Sequence, residues 1–295
     1  MGNRKILRYI RWLCLVVMVV CLLKIGREYC LSVQNKAQQD ALRDMVKTAE
    51  EDDSSESGVQ SEPAAEDSET PQTGEIEAQG RENDSLVKKS SVQSGSGIPG
   101  EEGGYPILKK YKDLYLENGD VAGWLTVEGT KIDYPVMQCE DDEFYLHHDF
   151  EGKESKYGCL YVRDKADLED GTNFVIYGHN MKDGSMFGDL DLYKQEEFFR
   201  EHSLISFDTL YEERTYEIVA AFPSRVYDEN SEEFKYYKFY EAETEEEFNE
   251  FYENIKALSL YDTGVNAEFG DTFLTLSTCA YHVNDGRFVV VGKKR

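Results

Sequence analysis

Positive charge is scarce in this sequence of 295 residues: 32 Lys and Arg stand against 59 Asp and Glu, a formal net charge of −27. That balance argues against nucleic acid as a partner, because its phosphates demand neutralisation by Lys and Arg. Metal-ligand spacings of His and Cys are missing as well, so neither a metal nor another cofactor is implied. No internal repeat is visible, which sets repeat architectures aside. Nor is there a long apolar run: the uninterrupted stretch Trp12 to Leu23 is shorter than the roughly 20 residues a spanning helix wants. Cysteine occurs six times, but Cys14, Cys21 and Cys30 lie in or at the edge of that stretch. Only Cys139, Cys159 and Cys279 remain for a folded domain, and an odd thiol in an exported domain points to a reactive group. Cys139 and Cys159 form either a disulfide or two separate buried thiols.

What is present divides the chain into four parts. Arg4, Lys5, Arg8 and Arg11 precede the apolar stretch, and Lys24 and Arg27 follow it. Counted from Ile6 to Ile25, with Arg8, Arg11 and Lys24 snorkelling, residues 6–25 are expected to be a transmembrane signal anchor. A cleaved signal peptide competes, yet no small-x-small site follows the run. The basic cluster then keeps residues 1–5 cytoplasmic and exports the remainder, giving a single-pass cell-membrane protein with an extracellular domain. Residues 26–104 are expected to be an acidic tether. From Gln34 to Gly104 there are few large apolar side chains, and Glu50-Glu-Asp-Asp53 and Glu66-Asp-Ser-Glu69 add like charge. Such a tract cannot offset its ordering entropy and should be disordered, although Asn35 to Ala49 has the character to continue as a helix.

Residues 105–295 are long enough for one well-cored domain. Ile107, Leu108, Tyr111, Leu114 and Tyr115 recur at helical spacing and open it with an amphipathic helix. Eight β-type runs follow, from Gly123–Val127 to Phe288–Val291, bounded by turn residues. A longer helix fits Thr244 to Leu258, with Thr244 as cap, Glu247 three residues on, and Phe248, Phe251, Tyr252 and Ile255 facing inward. The fold expected is mainly β, an antiparallel-rich barrel of eight strands with an N-terminal helix and a helix inserted before the last two strands.

The last two strands carry the chemistry. Thr272 to Cys279 ends in a cysteine, and Gly286 to Gly292 opens with Arg287. A thiolate can attack a carbonyl there while a guanidinium stabilises the oxyanion. A proton carrier is then needed, and five histidines compete. His147 and His148 suit a surface or capping role in a short helix, and His202 an ordinary surface position. His282 is near Cys279 in sequence but lies in a loop. His179 ends the strand Phe174-Val-Ile-Tyr-Gly-His179, where Gly178 permits close backbone approach.

Tyr177-Gly-His-Asn-Met181, Thr275-Leu-Ser-Thr-Cys279 and Arg287 together resemble the three signature segments of sortases, membrane-anchored cysteine transpeptidases of Gram-positive bacterial surfaces. Gly123-Trp-Leu, Ile132-Asp-Tyr-Pro-Val136 and Tyr145-Leu-His147 resemble early segments of class B sortases, and the likeness spans Tyr105 to Arg295 in order. The resemblance implies the eight-stranded sortase barrel, with Cys279 as nucleophile, His179 as acid and base, and Arg287 as oxyanion partner. It places Ser277 and Thr278 along the peptide groove; as strand residues they equally suit bonding to neighbours. It implies cleavage after the Thr of a C-terminal sorting signal on surface proteins, through a thioester, and transfer to a peptidoglycan amine. No metal is required. A pilin-polymerising sortase, a cysteine peptidase releasing product to water, and a non-catalytic adhesin are the rival readings.

Overall fold

The β-branched and aromatic runs become eight strands because each has a partner on both edges. The computed structural model describes residues 2–56, 106–280 and 286–295. In chain order these are α1 (Gly2–Glu56), α2 (Lys109–Glu117), β1 (Val121–Thr126), β2 (Asp133–Met137), α3 (Phe144–His147), β3 (Leu160–Tyr161), β4 (Asn173–Gly178), α4 (Glu196–Glu201), β5 (Leu204–Thr209), β6 (Thr215–Arg225), α5 (Glu245–Leu258), β7 (Phe273–Ala280) and β8 (Gly286–Lys294). The strands close as β1-β2-β3-β4-β7-β8-β6-β5, with β5 pairing back to β1. Among the described residues, closure leaves no free sheet edge. The barrel is antiparallel except at β2–β3 and β4–β7. A parallel pair needs a long crossover, and between β4 and β7 it contains β5, β6 and α5.

Three apolar layers follow from the two-residue side-chain period. Leu125, Val136, Phe174, Ile176, Leu274, Leu276, Phe288 and Val290 point inward and fill the barrel. Alternate residues of β4, β6, β7 and β8, including Val175, Phe222, Phe273 and Val289, point outward beneath α5. Thr244 caps α5 by accepting from the Glu247 amide at 3.2 Å, while the Glu247 carboxylate accepts from the Glu243 amide. The expected capping box therefore closes one residue early. Phe248, Phe251 and Ile255 are buried on its inner face, each contributing about 1.5–3 kcal/mol relative to exposure. The third layer lies outside β1 and β2, where Tyr111 and Leu114 of α2 meet Leu42 and Val46 of α1.

The N-terminal region corrects the sequence reading. Among the described residues no helix is long and apolar enough to cross a membrane. This overturns the expected single-pass anchor at 6–25, the membrane as a partner, and the cytoplasmic and extracellular placement that depended on it. The physical reason is length: the apolar stretch Trp12–Leu23 rises only about 18 Å as helix against roughly 30 Å of hydrocarbon. Extending it to Ile6 and Ile25 brings in Arg8, Arg11 and Lys24. The same helix α1 continues through Glu56, into the stretch expected as tether, and buries Gln39, Leu42 and Val46. Residues 57–105, the rest of that stretch, lie outside the described residues.

Candidate active site

Three adjacent strands bring the candidate residues side by side. In the parallel pair β4–β7, Gly178 lies opposite Thr278, so His179 and Cys279 each follow immediately after a matched position. In the antiparallel pair β7–β8, Cys279 lies opposite Arg287. Neighbouring strands are about 4.8 Å apart, so the three backbone positions form one row at one end of the barrel wall. The pleat assigns His179 and Arg287 a common face. Phe174 and Ile176 of β4 and Phe288 and Val290 of β8 point inward. Tyr177, His179, Val289 and Arg287 belong to the outward series.

His179 is half-buried, and its Nε2 lies 2.8 Å from the main-chain oxygen of Leu146 in α3. Gly178 explains how the strand end reaches this position. A Cβ there would stand 2.5 Å from Leu160 Cδ2 and 2.8 Å from Phe187 Cδ2, so only glycine fits against the barrel interior. Arg287 is half-buried and its Nη1 donates to the Gly286 carbonyl at 2.9 Å.

Ser277 and Thr278 are both buried and both hydroxyls are engaged inside the fold. Ser277 Oγ lies 2.7 Å from the Tyr236 hydroxyl, and Thr278 Oγ1 donates across to the Gly178 carbonyl at 3.0 Å. The second bond ties the strand end bearing Cys279 to the one bearing His179. Asn173 does similar work lower in the wall. Its Nδ2 donates to the Phe239 carbonyl and its Oδ1 accepts from Thr275 Oγ1, each at 2.8 Å.

The other histidines separate by surroundings. His147 is exposed, while His148 stacks on Phe144 with ring centroids 4.0 Å apart. His202 is not the plain surface residue its charged helix suggests: its ring is half-buried against Phe198 and fills the space above Gly129. His282 lies outside the described residues. Cys139 and Cys159 are free thiols, which settles their open alternative. Cys159 is buried, and that burial pushes its thiol well above the ordinary range. Among the described residues no cluster of His, Cys, Asp or Glu could hold a metal ion.

Two further groups lie in this region. Tyr177 packs against both outer apolar layers, stacks on Tyr161 at 5.5 Å and lies under the Arg163 guanidinium at 5.1 Å. Burial raises its phenol. The Leu146 carbonyl is the other, and a main-chain acceptor has no residue signature at all.

A family model described as the sortase domain matches residues 125–295. The chain belongs to the sortase family. Its likeness within the family is to class B. It is 35% identical over 191 residues to sortase B of Listeria monocytogenes, covering 63% of this chain and 74% of that relative. Sortase B of Staphylococcus aureus is 29% identical over 190 residues, with 63% and 75% covered. Among solved structures, sortase B of Bacillus anthracis in complex with AAEK1 superposes with a TM-score of 0.57 at 33% identity, covering 64% of this chain and 85% of that one. The Staphylococcus aureus sortase B–substrate complex gives 0.58 at 28% identity, covering 64% and 86%. This sortase is thus a cysteine transpeptidase with the mainly β barrel, opening helix and inserted helix of class B.

Proposed function

We propose that this sortase cleaves a C-terminal sorting signal after its Thr residue and passes the acyl group to a peptidoglycan amine. The observation that carries the reading is the row formed by His179, Cys279 and Arg287 on β4, β7 and β8. In this scheme the Cys279 thiolate attacks the threonine carbonyl and forms a tetrahedral oxyanion beside Arg287, which offers charge and a planar fork of donors. The C–N bond then breaks, a C–S thioester bond remains, and His179 gives its proton to the departing amine. In the second half the incoming amine attacks the thioester, His179 takes a proton from it, and the thiolate is regenerated. Ser277 and Thr278, packed just before the cysteine, would shape the floor of the peptide groove through the strand itself. Sortase B of Staphylococcus aureus has been solved as a substrate complex, which supports substrate binding by the same fold here.

Incubating the protein with a panel of sorting-signal peptides, with and without a peptidoglycan-like amine, tests the scheme. Cys279→Ala should lose turnover by about a thousandfold or more and leave no acyl-enzyme mass. An unchanged rate would remove Cys279 as nucleophile. If cleavage proceeds but the product always ends in a free acid when the amine is present, hydrolysis replaces transfer.

A further inference from the structure

A helix of four residues leaves every one of its carbonyls without a partner in the next turn, and the fate of those oxygens in α3 is informative. The Phe144 oxygen lies 2.7 Å from His148 Nδ1. The Tyr145 oxygen accepts from the Cys159 amide and the His147 oxygen from the Ser155 amide, both at 2.8 Å. The returning chain before β3 thus takes the carbonyls on either side of Leu146. The Leu146 oxygen faces His179 Nε2 instead, at 2.8 Å.

A carbonyl oxygen can only accept, so the hydrogen in this bond belongs to His179 Nε2. A neutral imidazole carries one hydrogen, which leaves Nδ1 with the lone pair. We propose that the Leu146 carbonyl is the orienting partner of His179, holding its hydrogen on Nε2 and reserving Nδ1 for proton exchange with the substrate. The inference rests on the acid–base role given to His179 above and specifies which atom performs it. When the ring is protonated, the labile hydrogen is the one on Nδ1. It passes to the nitrogen of the departing amine as the C–N bond breaks, and Nδ1 later receives a proton from the incoming amine. Nε2–H stays bonded to Leu146 throughout. A main-chain carbonyl thus occupies the place that a third side chain holds in other cysteine and serine enzymes.

The support of that carbonyl is built in. Tyr145 is buried, donates to Asp120 Oδ2 at 2.8 Å and accepts from Asn118 Nδ2 at 3.0 Å, which pins α3 to the β1 end of the domain. Gly158 passes directly beneath, with φ of 57°. A Cβ at 158 would stand 2.6 Å from the Tyr145 oxygen and 2.7 Å from the Leu146 oxygen. Leu146 is therefore a positioning residue through its backbone, and Gly158 is what allows its oxygen to sit there.

Nitrogen-15 labelling of histidine in the full-length protein provides the test. Spectra are recorded well above the ordinary histidine pKa of about 6.5, and His179 is assigned by its loss in His179→Ala. The expected result is an unprotonated Nδ1 together with an Nε2–H proton slow enough in exchange to be seen directly. A hydrogen on Nδ1 would overturn the proposal. Gly158→Ala should lose the protected Nε2–H signal and lower kcat at least tenfold, with KM little changed. Retention of both signal and rate in that variant would also overturn it. Should Gly158→Ala fail to fold, the wild-type spectrum still decides. The two readings fail separately. Full turnover in His179→Ala would end the acid–base role, whereas an essential His179 with its hydrogen on Nδ1 would end only the link to Leu146.

Discussion

Helix α5 and the C-terminal half of helix α1 both lie against the outside of the barrel, yet they are held by different physics. Under α5 the interface is aromatic and buried. Phe251 stacks on Phe239 with centroids 4.1 Å apart and lies 5.5 Å from Phe273 of β7, while Phe248 packs on Phe273 at 5.3 Å. Under α1 the apolar contribution is smaller, from Leu42 and Val46, and ionic groups surround it. Arg43 meets Asp40 and Asp133, Lys110 meets Asp208, Glu213 and Glu50, and Glu28 meets Lys156. The difference aligns with the chemistry. The buried aromatic layer backs β4, β7 and β8, whose ends carry His179, Cys279 and Arg287, so the row proposed above to carry the chemistry stands on a wall that cannot easily repack. The ionic layer backs β1 and β2, which carry none of those three residues.

The largest effect expected from this contrast is on folding. Phe251→Ala should cost about 3–5 kcal/mol, read as a fall in thermal midpoint, because the ring is almost fully buried among aromatics that cannot collapse into its space. A cost below about 1 kcal/mol would mean that the aromatic layer does not secure the wall. Next comes a change on the row itself. Arg287→Lys keeps the charge and removes the planar fork, so turnover should fall on the order of a hundredfold with the thermal midpoint unchanged. Normal turnover in that variant would take the oxyanion role away from Arg287. Together the two substitutions separate support from chemistry on one face.

The legible parts of this molecule were those whose period or composition survives tertiary context. Runs such as Phe174–Tyr177 and Ile218–Phe222 are apolar on both faces, as suits a wall with a filled barrel on one side and a helix on the other. Strands β4 and β7 are legible as apolar runs, with the proposed catalytic residues His179 and Cys279 at or just beyond their ends. That β4 and β7 pair in parallel was not readable, since the pairing spans a long crossover and depends on closure of the whole ring. The strand β3 is only two residues, Leu160 and Tyr161, although its apolar run is longer, because Gly158 bends beneath α3 before it. The Leu146 carbonyl was invisible for a simpler reason: any residue would supply it. At the N-terminus, composition from Gln34 points to disorder with a helical start over Asn35 to Ala49; α1 takes that helical course on through Glu56, and Leu42 and Val46, one helical turn apart, bury against Tyr111 and Leu114 of α2. Sparse apolar residues can dock a helix when a neighbouring surface already exists.

On the ionic layer the effects should be smaller. Asp208 accepts from Lys110 Nζ at 2.9 Å and from the Tyr111 hydroxyl at 2.6 Å. Asp208→Asn keeps the shape and loses the charge, so a cost of about 1–2 kcal/mol is expected. Burial pulls the Lys110 pKa down, but the hydrogen bonds it donates to Glu213 and Asp208 outweigh it and hold the group above its ordinary 10.5. A raised pKa means that this contribution is complete below 10.5 and fades only as pH climbs towards the raised value. The difference in stability between wild type and Asp208→Asn should therefore be flat from neutral to mildly alkaline pH. A difference that vanishes already near neutrality would show that Lys110 is not the group concerned.

Arg43→Ala provides the weakest and most discriminating case. The guanidinium is mostly covered, donating to the Asp133 main-chain oxygen at 2.9 Å and to Asp40 at 2.8 Å, with its plane 5.0 Å from the Tyr134 ring centre. Its carboxylate partners are 49% and 33% exposed, so water screens both attractions and solvates the carboxylates once the arginine is gone. The expected cost is under about 1 kcal/mol, smaller still in high salt, with turnover unaltered. Urea denaturation at two salt concentrations measures it. A loss above about 2 kcal/mol that persists in salt would mean that α1 is held as a buried element like α5, and the contrast between the two layers would fail.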